Sequence, residues 1–559
     1  GLINMGEDKN EKLSKHDDLK RICMGTQTFE FLRENNYLYV DKTKEIYDLI
    51  HNEKIVFLSR PRRFGKSLLV STLEELFKGN KGLFKGLYIY DKWDWNKKYN
   101  VISLDMSDMD NRSTEKLEID LNNTIETIAK TNKIKLNKEI SVRKKFSNLI
   151  KELYDSNSKE VIVLVDEYDA PILDNIDNKE LADTNRKMLQ SFYQTLKNKD
   201  EFLKFVFITG ISKFIHTSIF SKLNNPTDIT LIDRYSTICG ITHKELDEYC
   251  NEHIYLFADK NNMSYDEALS MINYWYDGYS FDGEKKVFNP FSTLSALKNG
   301  KLSKYWFSTG TPHFLVNILR DKRVDIDFKN MELSEGDLNE IDPMKIKDVP
   351  LLFQGGYLTI DRTFLNENNE TEYFLRIPNF EVKQAYDDNL TKIYVEKFGN
   401  KFKNFNELIW NEVIEGNCKR LSENLRAFIV GIPYYNRISM DNKEKWKVYP
   451  LLFRVWAEEA DFYLTEEKSI EDGRIDFVLE NNMQDQTLII EMKYTADQSK
   501  SMDSLINEAF KQIEDKKYWW AYTGKIKLMA LAIKDIEIGN GFTTDVKCEI
   551  KDIPAVYDN

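Results

Sequence analysis

The sequence predicts an α/β protein: a parallel sheet carrying a phosphate-binding loop, a helical middle, and a second α/β unit near the C-terminal end. Three stretches carry that reading. Residues 55–70 run from Ile55-Val56-Phe57-Leu58-Ser59 through Arg60-Pro61-Arg62-Arg63-Phe64 to Gly65-Lys66-Ser67 and a further apolar stretch, the pattern of strand, basic loop and helix. Residues 161–167 form an unbroken apolar run that ends in Asp166-Glu167, as expected of a strand buried on both faces. Residues 473–479 and 488–493 are two more strand-like runs, and they carry Asp476, Glu491 and Lys493.

A phosphate loop asks for Gly, four residues, then Gly-Lys-Ser/Thr. Gly65, Lys66 and Ser67 satisfy the second half, while Arg60 stands where the leading glycine belongs. The physics survives that replacement, because backbone N–H groups and the helix dipole still favour an anion at the helix N-terminus. Lys66 can reach the β- and γ-phosphates, and the Ser67 hydroxyl can hold Mg²⁺. Arg60 precedes Pro61, which biases it to extended backbone, so the chain enters this loop differently from the usual one. Arg60, Arg62 and Arg63 add three fixed charges beside the anion site. Each is a candidate phosphate ligand or arginine finger, and each could equally pair with a structural carboxylate.

The chain has 559 residues, enough for three or four domains with buried cores. Its 42% hydrophobic and 31% charged content is ordinary for a soluble globular protein. A net charge of −13 argues against an overall basic, nucleic-acid-coating surface but leaves room for a local basic groove. Five scattered cysteines without a C-x-x-C pair suggest neither a disulfide framework nor a zinc site, and suit a reducing compartment. Residues 1–20 are polar and charged, read as a disordered lead without a signal peptide. No run is long enough to span a bilayer, so a cytoplasmic protein without membrane contact is expected.

In chain order, Tyr39 to Thr43 leads through a helical pattern (Ile46, Leu49, Ile50) into the first strand. Val101 to Asp105 is a second strand, and roughly 113–155 reads as one long charged helical stretch. The carboxylates after 161–165 lie where α/β sheets place ligands. Asp166 would hold Mg²⁺ and Glu167 would orient and deprotonate the attacking water, against the plainer reading of an acidic loop cap. Residues 205–210 are a further buried strand ending at Thr209, with Ser212 and Lys213 beyond; Thr209 or Lys213 is a candidate γ-phosphate sensor or a simple strand-end turn.

These motifs resemble those of a bacterial and archaeal family, AAA-ATPase-like proteins whose C-terminus carries a PD-(D/E)XK nuclease-like domain. The likeness rests on Tyr39-Val40-Asp41-Lys42-Thr43, Arg60 to Ser67, Asp166-Glu167-Tyr168-Asp169, Thr209-Gly210 and Phe220 to Asn225. It continues through Trp275 to Tyr279, Asn289-Pro290-Phe291 and Tyr305 to Gly310. It implies ATP as the nucleotide, and the arginine at position 60 belongs to the family's own pattern. The expected architecture is a P-loop NTPase (AAA-like) parallel sheet over 21–240, a helical and winged-helix-like lid over 241–395, and a helical connector with a PD-(D/E)XK restriction-endonuclease-like α/β domain over 396–559. Trp275, Tyr276, Tyr279, Trp306 and Phe307 could stack nucleobases, but aromatics beside Gly and Pro turns read first as core. Tyr357 to Ile360 and Tyr373 to Ile377, around an acidic polar loop, read as a wing that contacts DNA or acts as a lid.

At the C-terminal site, strand alternation puts Glu491 and Lys493 on one face and Ile490 and Met492 on the other. Asp476 could face the same site across a hairpin. Convergent carboxylates bind Mg²⁺ or Mn²⁺ through oxygen, and the cation activates water and offsets charge on phosphate. Lys493 would position that water, and Gln512 on the next helix would support the site, as in similar RecB-type sites. The usual preceding acidic residue is assigned to Glu444, with Glu458 and Glu459 as rivals. A salt-bridged exposed sheet face and an inactivated nuclease fold are the competing readings. The sequence thus points to an ATP-hydrolysing protein coupled to Mg²⁺-dependent cleavage of nucleic acid, DNA more than RNA, with oligomerisation open. A nucleotide-switched binding module and a protein remodeller are the alternatives.

Overall fold

A computed structural model describes residues 19–26, 28–213, 219–220, 223, 226–306, 332–338, 348–385, 408–431, 463–469, 474–481, 486–516, 519, 522, 524–538 and 541–553. The expected disordered lead over 1–20 falls almost wholly outside them, as do Phe307, Glu444, Glu458 and Glu459. The described residues form two compact units, one ending at Ala385 and the other beginning at Leu408.

The first unit is built on five parallel strands: β1 (Ile55–Ser59), β2 (Asn100–Asp105), β3 (Val161–Asp166), β4 (Leu203–Gly210) and β5 (Thr227–Asp228). Their order is β2-β3-β4-β1-β5. Every residue of β3 is buried, which is why its sequence lacks polar alternation. Parallel pairing directs the ends of β1, β3 and β4 to one edge of the sheet, where the loop after Ser59, Asp166-Glu167 and Thr209-Gly210 meet.

Helix α1 (Thr43–Asn52) starts where Asp41 Oδ1 accepts from the Thr43 N–H and hydroxyl. Helix α2 (Lys66–Lys78) leaves the loop through Gly65, whose φ of 94° is left-handed. The stretch expected to be one helix over 113–155 is two, α3 (Thr114–Thr131) and α4 (Val142–Asn157), each capped by a serine, Ser113 and Ser141. The break follows Asn132, where Lys133 takes φ 58° and ends the ladder.

Helices α5 (His243–Lys260) and α6 (Tyr265–Tyr276) begin with capping boxes, Thr242 with Glu245 and Ser264 with Glu267. With α7 (Pro290–Asn299) they bury Leu246, Ile254, Phe257, Ile272, Tyr276 and Ala296 in a common core. Tyr276, Tyr279 and Trp306 are buried, so the core reading of these aromatics holds; Trp275 is half-buried against Phe380. A short hairpin pairs β6 (Tyr279–Ser280) with β7 (Lys286–Val287). A three-stranded antiparallel sheet follows from β8 (Glu332–Ser334), β9 (Thr359–Leu365) and β10 (Thr371–Arg376), with α8 (Asp348–Gln354) before β9.

The second unit contains α9 (Lys419–Gly431) and a mixed sheet ordered β11 (Tyr463–Ser469), β12 (Arg474–Asn481), β13 (Gln486–Thr495), β14 (Lys525–Ile538), β15 (Gly541–Asp552). The β13–β14 pair is parallel, which requires the crossover helix α10 (Met502–Lys516). Its Leu505, Ile506, Ala509, Phe510 and Ile513 pack on Ile489, Leu528, Ala530 and Ala532. One expectation fails here. Cys418 and Cys548 form a disulfide with Cα atoms 6.1 Å apart, while Cys23, Cys239 and Cys250 are free. A separation of 130 residues hid the pair, because only the fold around β15 brings the two thiols together.

Candidate active sites

In the first unit, β1 hands the chain to a loop whose two ends are held differently. Arg60 N–H donates to Gly210 O, and its guanidinium donates to Ser59 O at 2.9 Å and Thr230 O at 2.8 Å. Its charge also lies 3.8 Å above the Phe281 ring. Arg60 is 1% exposed, and burial lowers its pKa to about 10. It therefore does not serve the anion site as expected. Its guanidinium is spent on backbone carbonyls, tying the start of the loop to the segment after β5.

The other half of the loop keeps its expected parts. Arg62, Arg63, Gly65, Lys66, Ser67 and Glu167 line a common cavity of about 240 Å³, together with Ser107 and Asp174. Lys66 Nζ arches back to Arg60 O and Pro61 O, each at 2.7 Å, and burial lowers its pKa. Ser67 Oγ donates to Asp166 Oδ2 at 2.6 Å. This contact joins the helix start to the end of β3. Burial raises the Asp166 pKa to about 6, and its Oδ1 is enclosed without a hydrogen bond. A hydroxyl beside a carboxylate with a spare buried oxygen fits a hard divalent cation. Glu167 sits at φ 52°, which carries its side chain out of the strand pattern and into the cavity lining.

Thr209 is placed elsewhere. Its hydroxyl donates to Leu58 O at 2.7 Å inside the sheet, and the residue is fully buried. Lys213 pairs with Asp228 at 3.2 Å, and its N–H donates to Gln354. Neither lines the phosphate cavity, so the sensor reading gives way to the strand-end one. Sequence reasoning gave Asp169 no role beyond its place in the Asp166-Glu167-Tyr168-Asp169 motif. Its Oδ2 accepts from Ile211 N, Ser212 N and Ser212 Oγ at 3.1, 2.7 and 2.6 Å, locking the end of β4 to the end of β3. Gly210 is required beside it, since a Cβ there would lie 2.6 Å from Asp169 Oδ1 and the Tyr168 ring. A second aspartate three residues after Asp166 was the available signal.

An apolar cavity of about 110 Å³ adjoins the phosphate cavity and shares Arg63, Phe64 and Gly65 with it. Met24, Leu38, Tyr39, Ile241, Phe291 and Leu294 form much of its wall. Lys42 staples the two sides of this region together, pairing with Glu245 at 2.7 Å and donating to Thr237 O.

In the second unit, β12 and β13 pair antiparallel with Asp476 directly opposite Glu491 and Arg474 opposite Lys493. Directly opposed residues share a sheet face. On the other side of β13, Glu491 is level with Ala530 and Lys493 with Ala532, the alanines on which α10 packs. Glu491 and Lys493 thus belong to the helix-covered face, with 0% and 6% exposure. An exposed salt-bridged sheet face is excluded for these two residues. Gln512 on α10 has its Oε1 enclosed without a hydrogen bond. The backbone register thus sets position 476 against Glu491, with Lys493 two residues further along β13. Among the described residues no group of three or more His, Cys, Asp or Glu is poised as a metal cluster.

Two family models match the chain: a predicted AAA-ATPase (AAA-ATPase-like) over residues 23–220 and the PD-(D/E)XK nuclease superfamily over 444–537. An Azotobacter chroococcum mcd 1 protein described as "Uncharacterized protein in vnfD 5′region" is 35% identical over 426 residues, covering 74% of this chain and 78% of that one. The chain belongs to the family of AAA-ATPase-like proteins with a C-terminal PD-(D/E)XK nuclease-superfamily domain. Two solved structures are also similar. The Aeropyrum pernix Orc1 protein in complex with DNA is 9% identical, covers 62% of this chain and 92% of its own, and has a TM-score of 0.24. Cdc6p from Pyrobaculum aerophilum is 12% identical, covers 63% and 93%, and has a TM-score of 0.22. At those TM-scores the likeness carries no argument. No described helix is long and apolar enough to cross a membrane.

Proposed function

We propose that the protein binds and hydrolyses ATP at residues 62–67, 166 and 167, and cleaves nucleic acid, DNA in preference to RNA, in its C-terminal domain. The observation that carries the first half is the Ser67–Asp166 contact inside a cavity also lined by Lys66 and Glu167. Lys66 releases its loop carbonyls to bind β- and γ-phosphate oxygens, Glu167 accepts the proton of the attacking water, and Ser67 with Asp166 holds Mg²⁺. The adjoining apolar cavity, walled by Tyr39 and Phe291, takes the base.

The second half rests on the buried Glu491–Lys493 face opposite Asp476. Asp476 and Glu491 hold Mg²⁺ or Mn²⁺, which supplies charge neutralisation at the scissile phosphate. Lys493 orients the attacking water, and Gln512 offers its amide oxygen at the helix side. Glu444, assigned as a further ligand, lies outside the described residues. The test is cleavage of end-labelled single- and double-stranded DNA and RNA with Mg²⁺ or Mn²⁺, with and without ATP. Products that disappear in Asp476→Ala support the reading. ATP-dependent binding without any metal-dependent product replaces it with a nucleotide-switched binding module.

A further inference from the structure

The phosphate loop contains three arginines, and the structure gives them three different fates. Arg60 is consumed by carbonyls and the Phe281 ring. Arg63 is exposed and lies 5.1 Å over Phe291. Arg62 is half-buried and lines the phosphate cavity, and its Nε is enclosed without a hydrogen bond. None of its guanidinium nitrogens is paired with a carboxylate among the described residues. A buried, charged N–H without a partner is costly, so such a group is best accounted for by an anion it meets during function.

The backbone of Arg62 is also held. Its carbonyl accepts from Trp306 Nε1 at 3.0 Å. Trp306 is fully buried, and its own N–H is anchored by Ser292 Oγ at 3.0 Å and Glu381 Oε2 at 3.2 Å. The residue before Arg62 is gripped too: a Cβ on Gly356 would come within 2.9 Å of Pro61 and 3.0 Å of Trp306. Among the described residues, the Arg62 backbone is held while its guanidinium keeps its donors free for an anion, so a developing charge beside the loop would meet a fixed positive group.

We propose that Arg62 is the cation that meets the γ-phosphoryl group as it transfers, supplied by the same chain that holds the nucleotide, and that Trp306 is its positioning residue. The inference rests on the ATPase reading above. In the step, the water oxygen bonds to the γ-phosphorus while the bond to the β,γ-bridging oxygen breaks. The water proton passes to Glu167, and ADP leaves with the electron pair. Arg62 donates N–H bonds to oxygens whose charge grows on the way, without itself gaining or losing a proton. A second subunit's arginine is then not required.

The test measures ATP turnover and the binding of a fluorescent ATP analogue for wild type, Arg62→Ala, Arg62→Lys, Trp306→Phe and the Arg62→Ala/Trp306→Phe double variant, each checked for a wild-type melting transition. Arg62→Ala is expected to lower kcat by roughly 10²–10⁴-fold while changing analogue affinity less than about tenfold. Arg62→Lys recovers part of the rate, and Trp306→Phe slows wild type but not the Arg62→Ala background. Wild-type specific activity stays constant on dilution. Turnover by Arg62→Ala within about twofold of wild type, or specific activity that collapses on dilution, overturns the assignment. Additive loss in the double variant overturns the role of Trp306 alone. A wild type that binds the analogue but never turns over ATP overturns the ATPase reading, and this inference with it.

Discussion

The two candidate sites bring their charged side chains together with opposite architecture. The N-terminal site gathers its groups at strand ends and in a loop, so topology brings Ser67 to Asp166 across 99 residues of sequence. The C-terminal site keeps its groups within strands, and the β12–β13 register places Asp476 against Glu491. The difference teaches where each is vulnerable. A loop site depends on the contacts that hold its backbone, such as those of Arg60, Asp169 and Trp306. A strand site depends on register and on the helix that covers it, because a one-residue slip would move Glu491 and Lys493 to the other face.

The largest effects should separate the sites chemically. Glu167→Gln should lower ATP turnover by about 10²–10⁴-fold with nucleotide binding kept, measured by phosphate release and equilibrium binding. Lys493→Ala should lower cleavage roughly 10²–10³-fold and leave ATP turnover within about twofold. Next comes the mechanical lock of the loop site. Gly210→Ala forces a Cβ into the Asp169 and Tyr168 side chains and should destabilise the first unit by about 1–3 kcal/mol in denaturant unfolding.

The last effect is a pH dependence. Burial raises the Glu381 pKa from 4.5 to about 7, against the lowering effect of the Ser292 hydroxyl and the backbone N–H groups of Trp306 and Tyr305. A carboxyl that holds its proton more tightly when folded adds stability at low pH. That stability is complete below the unfolded value and is lost as pH rises through about 7. Glu381→Gln should flatten this part of the melting-temperature profile, by the equivalent of about 3 kcal/mol at most.

Much of the loop site was legible because its signals are local. The apolar run before Asp166 announces a doubly covered strand, and Gly65-Lys66-Ser67 announces the helix start. Errors came where a residue's neighbours in space are distant in sequence. Arg60 stands two residues from Arg62, yet its partners are Thr230 and Phe281. Thr209 has the residue type of a sensor, but its hydroxyl was already committed to Leu58 O. The apolar cavity joins residues near 24–40 to residues near 238–294, and no periodicity reports such a meeting. The Ser292–Glu381 and Cys418–Cys548 pairs were invisible for the same reason. In the C-terminal unit, alternation gave the shared face of Glu491 and Lys493, but their burial depends on α10 and could not be read from two strands.

The measurement that tests the account most directly is a parallel assay of ATP turnover and labelled-DNA cleavage for wild type, Lys66→Ala and Glu491→Gln. Two independent chemical centres predict that Lys66→Ala abolishes turnover, and that Glu491→Gln abolishes cleavage while keeping turnover. Cleavage by Glu491→Gln at the wild-type rate, or turnover by Lys66→Ala at the wild-type rate, would contradict it.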